Sequence, residues 1–96
     1  MESTIAHSHA IKVAEIQNFQ QTVLASLRGT VPLEHIAFAV PPVTIALTAA
    51  YAGDDETPGF EITYHGHRWT VEVPRLRRTI SGDSLPRLLR QLLITH

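Results

Sequence analysis

Apolar side chains return every three or four positions from about Ala10 to Arg28, where Val13, Ile16, Phe19, Val23 and Leu27 stack on one side of a helix. Glu15, Gln17, Asn18, Gln21, Thr22 and Ser26 fall largely on the other side. Gly29 follows Arg28 directly, in the position where glycine closes a helix in the left-handed conformation, and Ser3, Thr4 and Ser8 each fit as the N-cap. Over Thr30 to Pro42 the two periods compete: Leu33, Ile36, Ala37 and Val40 suit a short helix, Ile36, Phe38 and Val40 a strand. A helical turn is slightly favoured, ended by Pro41-Pro42.

Strict alternation predicts a strand over Val43 to Tyr51, with Val43, Ile45, Leu47, Ala49 and Tyr51 on one face. Ala52 to Gly59 (AGDDETPG) reads as a loop, because three successive acids repel inside a regular element. Two further alternating runs, Phe60 to Tyr64 and Arg68 to Val73, flank His65-Gly66-His67. A tight turn of His65 and Gly66 pairs Tyr64 with His67, Ile62 with Trp69 and Phe60 with Val71, keeping the apolar residues on one face. A loop one residue longer mixes the faces, so the tight hairpin is predicted. Pro74 closes the strand and Arg75 to Ile80 crosses to a second helix. Asp83 or Ser84 caps that helix, Pro86 sits in its first turn, and Leu85, Leu88, Leu89, Leu92 and Leu93 form its apolar stripe.

The expected fold is therefore α+β: a small three-stranded antiparallel sheet with an N-terminal and a C-terminal helix packed on one face, in the order α-β-β-β-α. At 96 residues and 10.7 kDa the chain is expected to be one domain over residues 1–96. A hydrophobic share of 44% with 18% charged residues argues against disorder. No apolar run reaches the roughly 18 to 20 residues of a membrane span, and the start is neither basic nor continuously apolar, so a cytoplasmic, soluble protein is expected. The absence of Cys removes disulfides, thiolate metal sites and Cys nucleophiles.

The net charge of -1 conceals an asymmetry. Residues 1–59 hold six acids and two bases; residues 60–96 hold three acids and six arginines. Arginine's planar fork pairs with carboxylates and phosphates more specifically than a lysine does. Arg75, Arg77, Arg78, Arg87 and Arg90 are the expected partner-binding residues, with the acidic loop Asp54 to Glu56 as a second candidate.

Signatures of catalysis are missing: no glycine-rich phosphate loop, no His-Glu-x-x-His and no Gly-x-Ser-x-Gly. No catalytic residue, cofactor or metal site is expected. The His7/His9 and His65/His67 pairs are poor metal ligands, because positions two apart diverge on a helix and the hairpin turn separates the second pair. A metal- or pH-responsive role for the six histidines is the third reading. The second is a nucleic-acid-binding domain that uses the arginines on phosphates, although Asp83 opposes phosphate at the start of the last helix. Trp69 and Tyr64 are expected in the core rather than as stacking platforms.

The C-terminal part, about residues 60–94, resembles HicB-type antitoxin domains. They have a hairpin whose second strand ends in Pro-x-Leu, a short crossing segment, and Gly-Asp-Thr/Ser-Leu opening an amphipathic helix. Pro74, Leu76, Gly82, Asp83, Ser84 and Leu85 match that pattern. Arg77-Arg78-Thr79 stands where family members usually have a Pro-Gly-Cys-like stretch, and the long N-terminal helix is a further departure. The resemblance implies a non-catalytic domain that binds a small basic ribonuclease toxin and oligomerises through its sheet. The leading expectation is a protein-binding domain whose partner has an acidic or mixed surface, antitoxin-like neutralisation being its sharpest form. Self-association is open through the sparsely charged strand Val43 to Tyr51.

Overall fold

The computed structural model describes the backbone of residues 2–39 and 46–94, and the side chains of residues 13–39 and 46–92. The first helix, α1, runs from Glu2 to Leu27 and begins earlier than the apolar period predicts. Phe19, Val23 and Leu27 are buried and Ile16 and Leu24 pack beside them, as their spacing requires, whereas Val13 remains 57% exposed. Gly29 takes a φ of +82°, and the Thr30 N–H donates to the Leu27 carbonyl at 2.9 Å.

Five strands, not three, form the sheet: β1 Ile36–Ala39, β2 Leu47–Gly53, β3 Pro58–His65, β4 Arg68–Val73 and β5 Arg78–Gly82. They pair antiparallel in chain order, a simple meander, and the second helix, α2, follows at Leu85–Ile94. The α+β class stands and the three-stranded sheet is overturned. Both added strands lie at the edges. In the segment expected as a helical turn, Leu33–His35 makes a single 3-10 turn and Ile36 to Ala39 then extends along β2. Burial explains the change: Ile36 and Phe38, two apart, both reach the core face only from a strand. Pro41-Pro42 and the expected strand start at Val43 lie outside the described residues.

The segment expected to cross directly to the last helix instead makes a 3-10 turn at Pro74–Leu76, a reversal at Arg77 and strand β5. β5 pairs Val71 with Ile80 and Val73 with Arg78. It carries one inward apolar residue, Ile80, which leaves no alternation to detect.

The β3–β4 hairpin is tight, but its turn is Gly66-His67 rather than His65-Gly66. Both turn residues have positive φ, 60° and 63°, the requirement of the two-residue turn whose twist matches the strands. Pairing slides by two residues, giving Tyr64 opposite Trp69 and Ile62 opposite Val71. A slide of two preserves which face each side chain occupies, so the apolar pattern is equally satisfied by both registers. The observed one sets Tyr64 and Trp69 with ring centroids 4.6 Å apart.

Both helices cover the same face and touch each other. Phe19 of α1 stacks on Trp69 at 5.4 Å and meets Phe38 edge-on at 6.1 Å, tying the helix to β1 and β4. Leu85, Leu88, Leu89 and Leu92 of α2 are all buried, and the Leu88 N–H bonded to the Ser84 carbonyl makes Ser84 the N-cap position. No described helix is long and apolar enough to cross a membrane.

Candidate interaction surfaces

All five arginines singled out from the sequence are exposed, and they divide into two groups. Arg75, Arg77 and Arg78 share the corner where β4 turns into β5. Arg87 and Arg90, three apart on α2, lie near one face of that helix. Arg87 borders a shallow notch with Gly82, Asp83 and Ser84, beyond the opposite end of β5, about 13 Å along the strand from the corner. The corner has its own local cause. Pro74 opens the 3-10 turn, and the chain reverses through Arg77 at φ 53°, whose N–H donates to the Pro74 carbonyl at 3.0 Å. An L-residue pays about 1 kcal/mol or more in that left-handed conformation. The same dihedral fixes where the Arg77 side chain departs from the backbone.

Arg75 also lines an open concavity of about 590 Å³, together with Tyr51, Asp54, Phe60 and Glu61. Tyr51 and Phe60 are cross-strand partners and their rings sit 5.5 Å apart as an aromatic floor. Close backbone approach shapes the wall. A Cβ on Gly53 would lie 2.6 Å from the Gly59 nitrogen, and one on Gly59 would lie 2.5 Å from the Ala52 oxygen, so only glycine fits this end of the β2–β3 ladder.

Asp54 organises the acidic loop above that floor. Its Oδ1 accepts from the backbone N–H of Glu56 at 2.8 Å and of Thr57 at 2.7 Å, and its Oδ2 accepts the Tyr51 hydroxyl at 2.5 Å. The Tyr51 hydroxyl first, then the two N–H groups, hold the Asp54 carboxyl below its ordinary range, with His35 adding a smaller attraction. The same bond, with some desolvation, pushes the Tyr51 hydroxyl up. Asp54 is thus a turn-forming anion, and the concavity has cationic Arg75 on one wall facing Asp54 and Glu61 on the other. Sequence reasoning named Arg75 and the acidic loop but missed Tyr51 and Phe60 as their floor. The signal was present in two aromatics flanking the Gly-rich loop.

The histidines do not converge. His65 pairs with Arg68 across the hairpin, and His67 Nδ1 lies 3.3 Å from the Tyr64 hydroxyl. No group of three metal-ligating side chains occurs among the described residues; the side chains of His7 and His9 are outside them. Trp69 is buried against Phe19, as expected of a core residue.

The sheet's second face is covered by no described element. It presents Ala37, Ala50, Glu61, Glu72 and Thr79 in one cross-strand row, then Ala39, Thr48, Thr63, Thr70 and Ser81 in the next. None of these is buried, and Thr70 and Ser81 share a hydrogen bond of 3.0 Å. The edge expected at Val43 to Tyr51 does not exist where it is described, because β2 is bonded to β1 on one side and β3 on the other. No family model, curated protein or solved structure matches the chain.

Proposed function

We propose that this chain is a non-catalytic protein-binding domain whose contact region is the β4–β5 corner and the concavity beside it. The carrying observation is that Arg75 belongs to both: it stands in the exposed Arg75, Arg77, Arg78 group and lines the 590 Å³ concavity over Tyr51 and Phe60. Interfaces gain most from aromatic and arginine side chains at a pocketed centre. Here an apolar side chain of the partner enters over the two rings while its charged flanks meet Arg75 on one side and Asp54 or Glu61 on the other. That fits a partner of mixed surface. In the antitoxin-like form of this reading the partner is a small basic toxin, whose cations would meet Asp54, Asp55, Glu56 and Glu61. Arg87 and Arg90 lie outside the contact or at its margin.

The test is capture of the partner from native lysate, with and without nuclease, by the wild-type chain and by a variant carrying Arg75→Glu and Arg77→Glu. One stoichiometric protein that survives nuclease and is lost with the variant, while the near-ultraviolet signal of Trp69 is unchanged, supports the reading. Equal capture by the variant refutes the site, and nuclease-sensitive recovery of nucleic acid replaces the reading with phosphate binding at the same corner.

A further inference from the structure

The sheet ends on one side at β5, where the phase of its hydrogen bonds follows from the β3–β4 hairpin. A two-residue turn is closed by a pair whose backbone groups bond to each other, here His65 and Arg68. Those groups alternate in direction along a strand, so Trp69, Val71 and Val73 bond away from β3, to Gly82, Ile80 and Arg78. The N–H and C=O of Thr79 and Ser81 therefore point away from β4, out of the sheet. Both residues are exposed, and among the described residues no backbone hydrogen bond outside the ladders reaches them. By the same alternation the outward groups of β1 belong to Ile36 and Phe38, and there the Ile36 N–H already donates to the Leu33 carbonyl. β5 is the more open border.

Proteins commonly blunt such an edge with proline, a bulge or an inward charge. β5 runs from Arg78 to Gly82 in continuous register without proline, and its guard is Arg78 on the inner face. That guard turns away a cation and admits an anion. The surrounding charges agree: Arg75 faces Asp54 and Glu61 across the concavity, Arg77 and Arg78 outnumber Glu72 at the start of β5, and Asp83 offsets Arg87 at its end. Two residues beyond Arg78 on the same face, Ile80 packs against the core yet stays half-exposed. A strand laid antiparallel along β5 sets an acid beside Arg78, an apolar residue beside Ile80, and a polar residue between them on the outer face.

The edge by itself is small. Two outward residues offer four backbone groups, well short of the roughly 1,200 Å² of a stable interface, so a second copy paired through β5 alone lacks area. A partner that also enters the neighbouring concavity gains what the edge lacks. We propose that the partner adds an extended segment of the pattern apolar-polar-acidic to β5 as a sixth, antiparallel strand. This deepens, and rests on, the reading of the chain as a protein-binding domain.

The probe is a labelled peptide with the core valine-threonine-valine-threonine-glutamate, followed by fluorescence anisotropy against the full-length chain. It should bind at least about tenfold more tightly than the same peptide ending in lysine, and Arg78→Glu should reverse that preference. N-methylation of the two threonine nitrogens, which face β5, should abolish binding, whereas methylation of the second valine nitrogen, which faces away, should not. Thr79→Pro removes an outward N–H that the β4–β5 ladder does not use, so the near-ultraviolet signal of Trp69 should persist while binding is lost. Should that variant fail to fold, the methylated peptides decide alone. No binding up to about 1 mM, equal affinity for the two peptides, or indifference to threonine methylation overturns the proposal. So does a doubling of the 10.7 kDa mass that Thr79→Pro abolishes, which gives the edge to a second copy. Lysate capture separates the two levels. A partner lost with Arg75→Glu and Arg77→Glu but kept by Thr79→Pro overturns strand addition alone, and equal capture by every variant overturns both.

Discussion

The two faces of one sheet do opposite work with the same five strands. On the inner face lie Leu47, Tyr51, Phe60, Ile62, Trp69, Val71 and Val73, all buried beneath α1 and α2. On the outer face the large side chains are few and charged, and the rest are Ala, Thr and Ser. Because successive residues of a strand point to opposite sides, neighbouring positions such as Trp69 and Thr70 belong to different problems. The apolar core lies on the inner face, and the outer-face side chains, all at least partly exposed, are less constrained by packing.

The contrast is broken most severely from inside. Trp69→Ala removes the ring stacked on Phe19 and tilted against Tyr64 and should cost about 3 to 5 kcal/mol in urea unfolding. Gly59→Ala forces a methyl against the Ala52 carbonyl, and a loss of about 1 to 3 kcal/mol is expected. A smaller change of opposite sign comes from Arg77→Gly, which relieves the left-handed backbone at φ 53° at some cost in chain entropy. A gain of about 0.5 to 1 kcal/mol should accompany weaker partner capture, separating fold from function at one residue. Thr70→Ala, one position from Trp69 but on the outer face, should change unfolding by no more than about 0.5 kcal/mol.

The mildest expected effect depends on pH. The Asp54 carboxyl lies below its ordinary value of 3.8 in the fold, so the stability it adds is present above that value and is lost as pH falls through the lowered one. The Tyr51 hydroxyl lies above its ordinary 10.0, so its contribution is present below that value and disappears as pH rises through the raised one. Tyr51→Phe should flatten both limbs of a thermal-melting profile. A profile whose limbs are unchanged would show that the Tyr51–Asp54 bond adds nothing to stability.

What the chain makes legible follows from how many positions repeat. α1 and α2 each spread a stripe over several turns, and β3 and β4 alternate long enough to read directly. β1 offers only Ile36 and Phe38 to the core and β5 only Ile80, because an edge strand has one bonded neighbour and little apolar surface to cover. The hairpin shows a second limit. Registers two apart satisfy the same hydrophobic pattern, and the choice belongs to the turn, where Gly66 and His67 must both adopt positive φ. The arginines were readable as exposed charges, but Arg75's place in a concavity was not. Its lining is assembled from Tyr51, Phe60 and Arg75, which three separate elements bring together.

The meander also imposes an order in time. Each strand bonds to the one before it in the chain, so the sheet grows hairpin by hairpin through short loops, the sort of local pairing that forms fast. Its apolar cover does not grow with it. α1 emerges before any strand exists to receive Phe19 and Val23, and α2, with its four buried leucines, emerges after all of them. During synthesis the completed sheet therefore stands half-clad, with Val71 and Val73 waiting on the last helix. In that interval the chain is most exposed to aggregation and to chaperone capture.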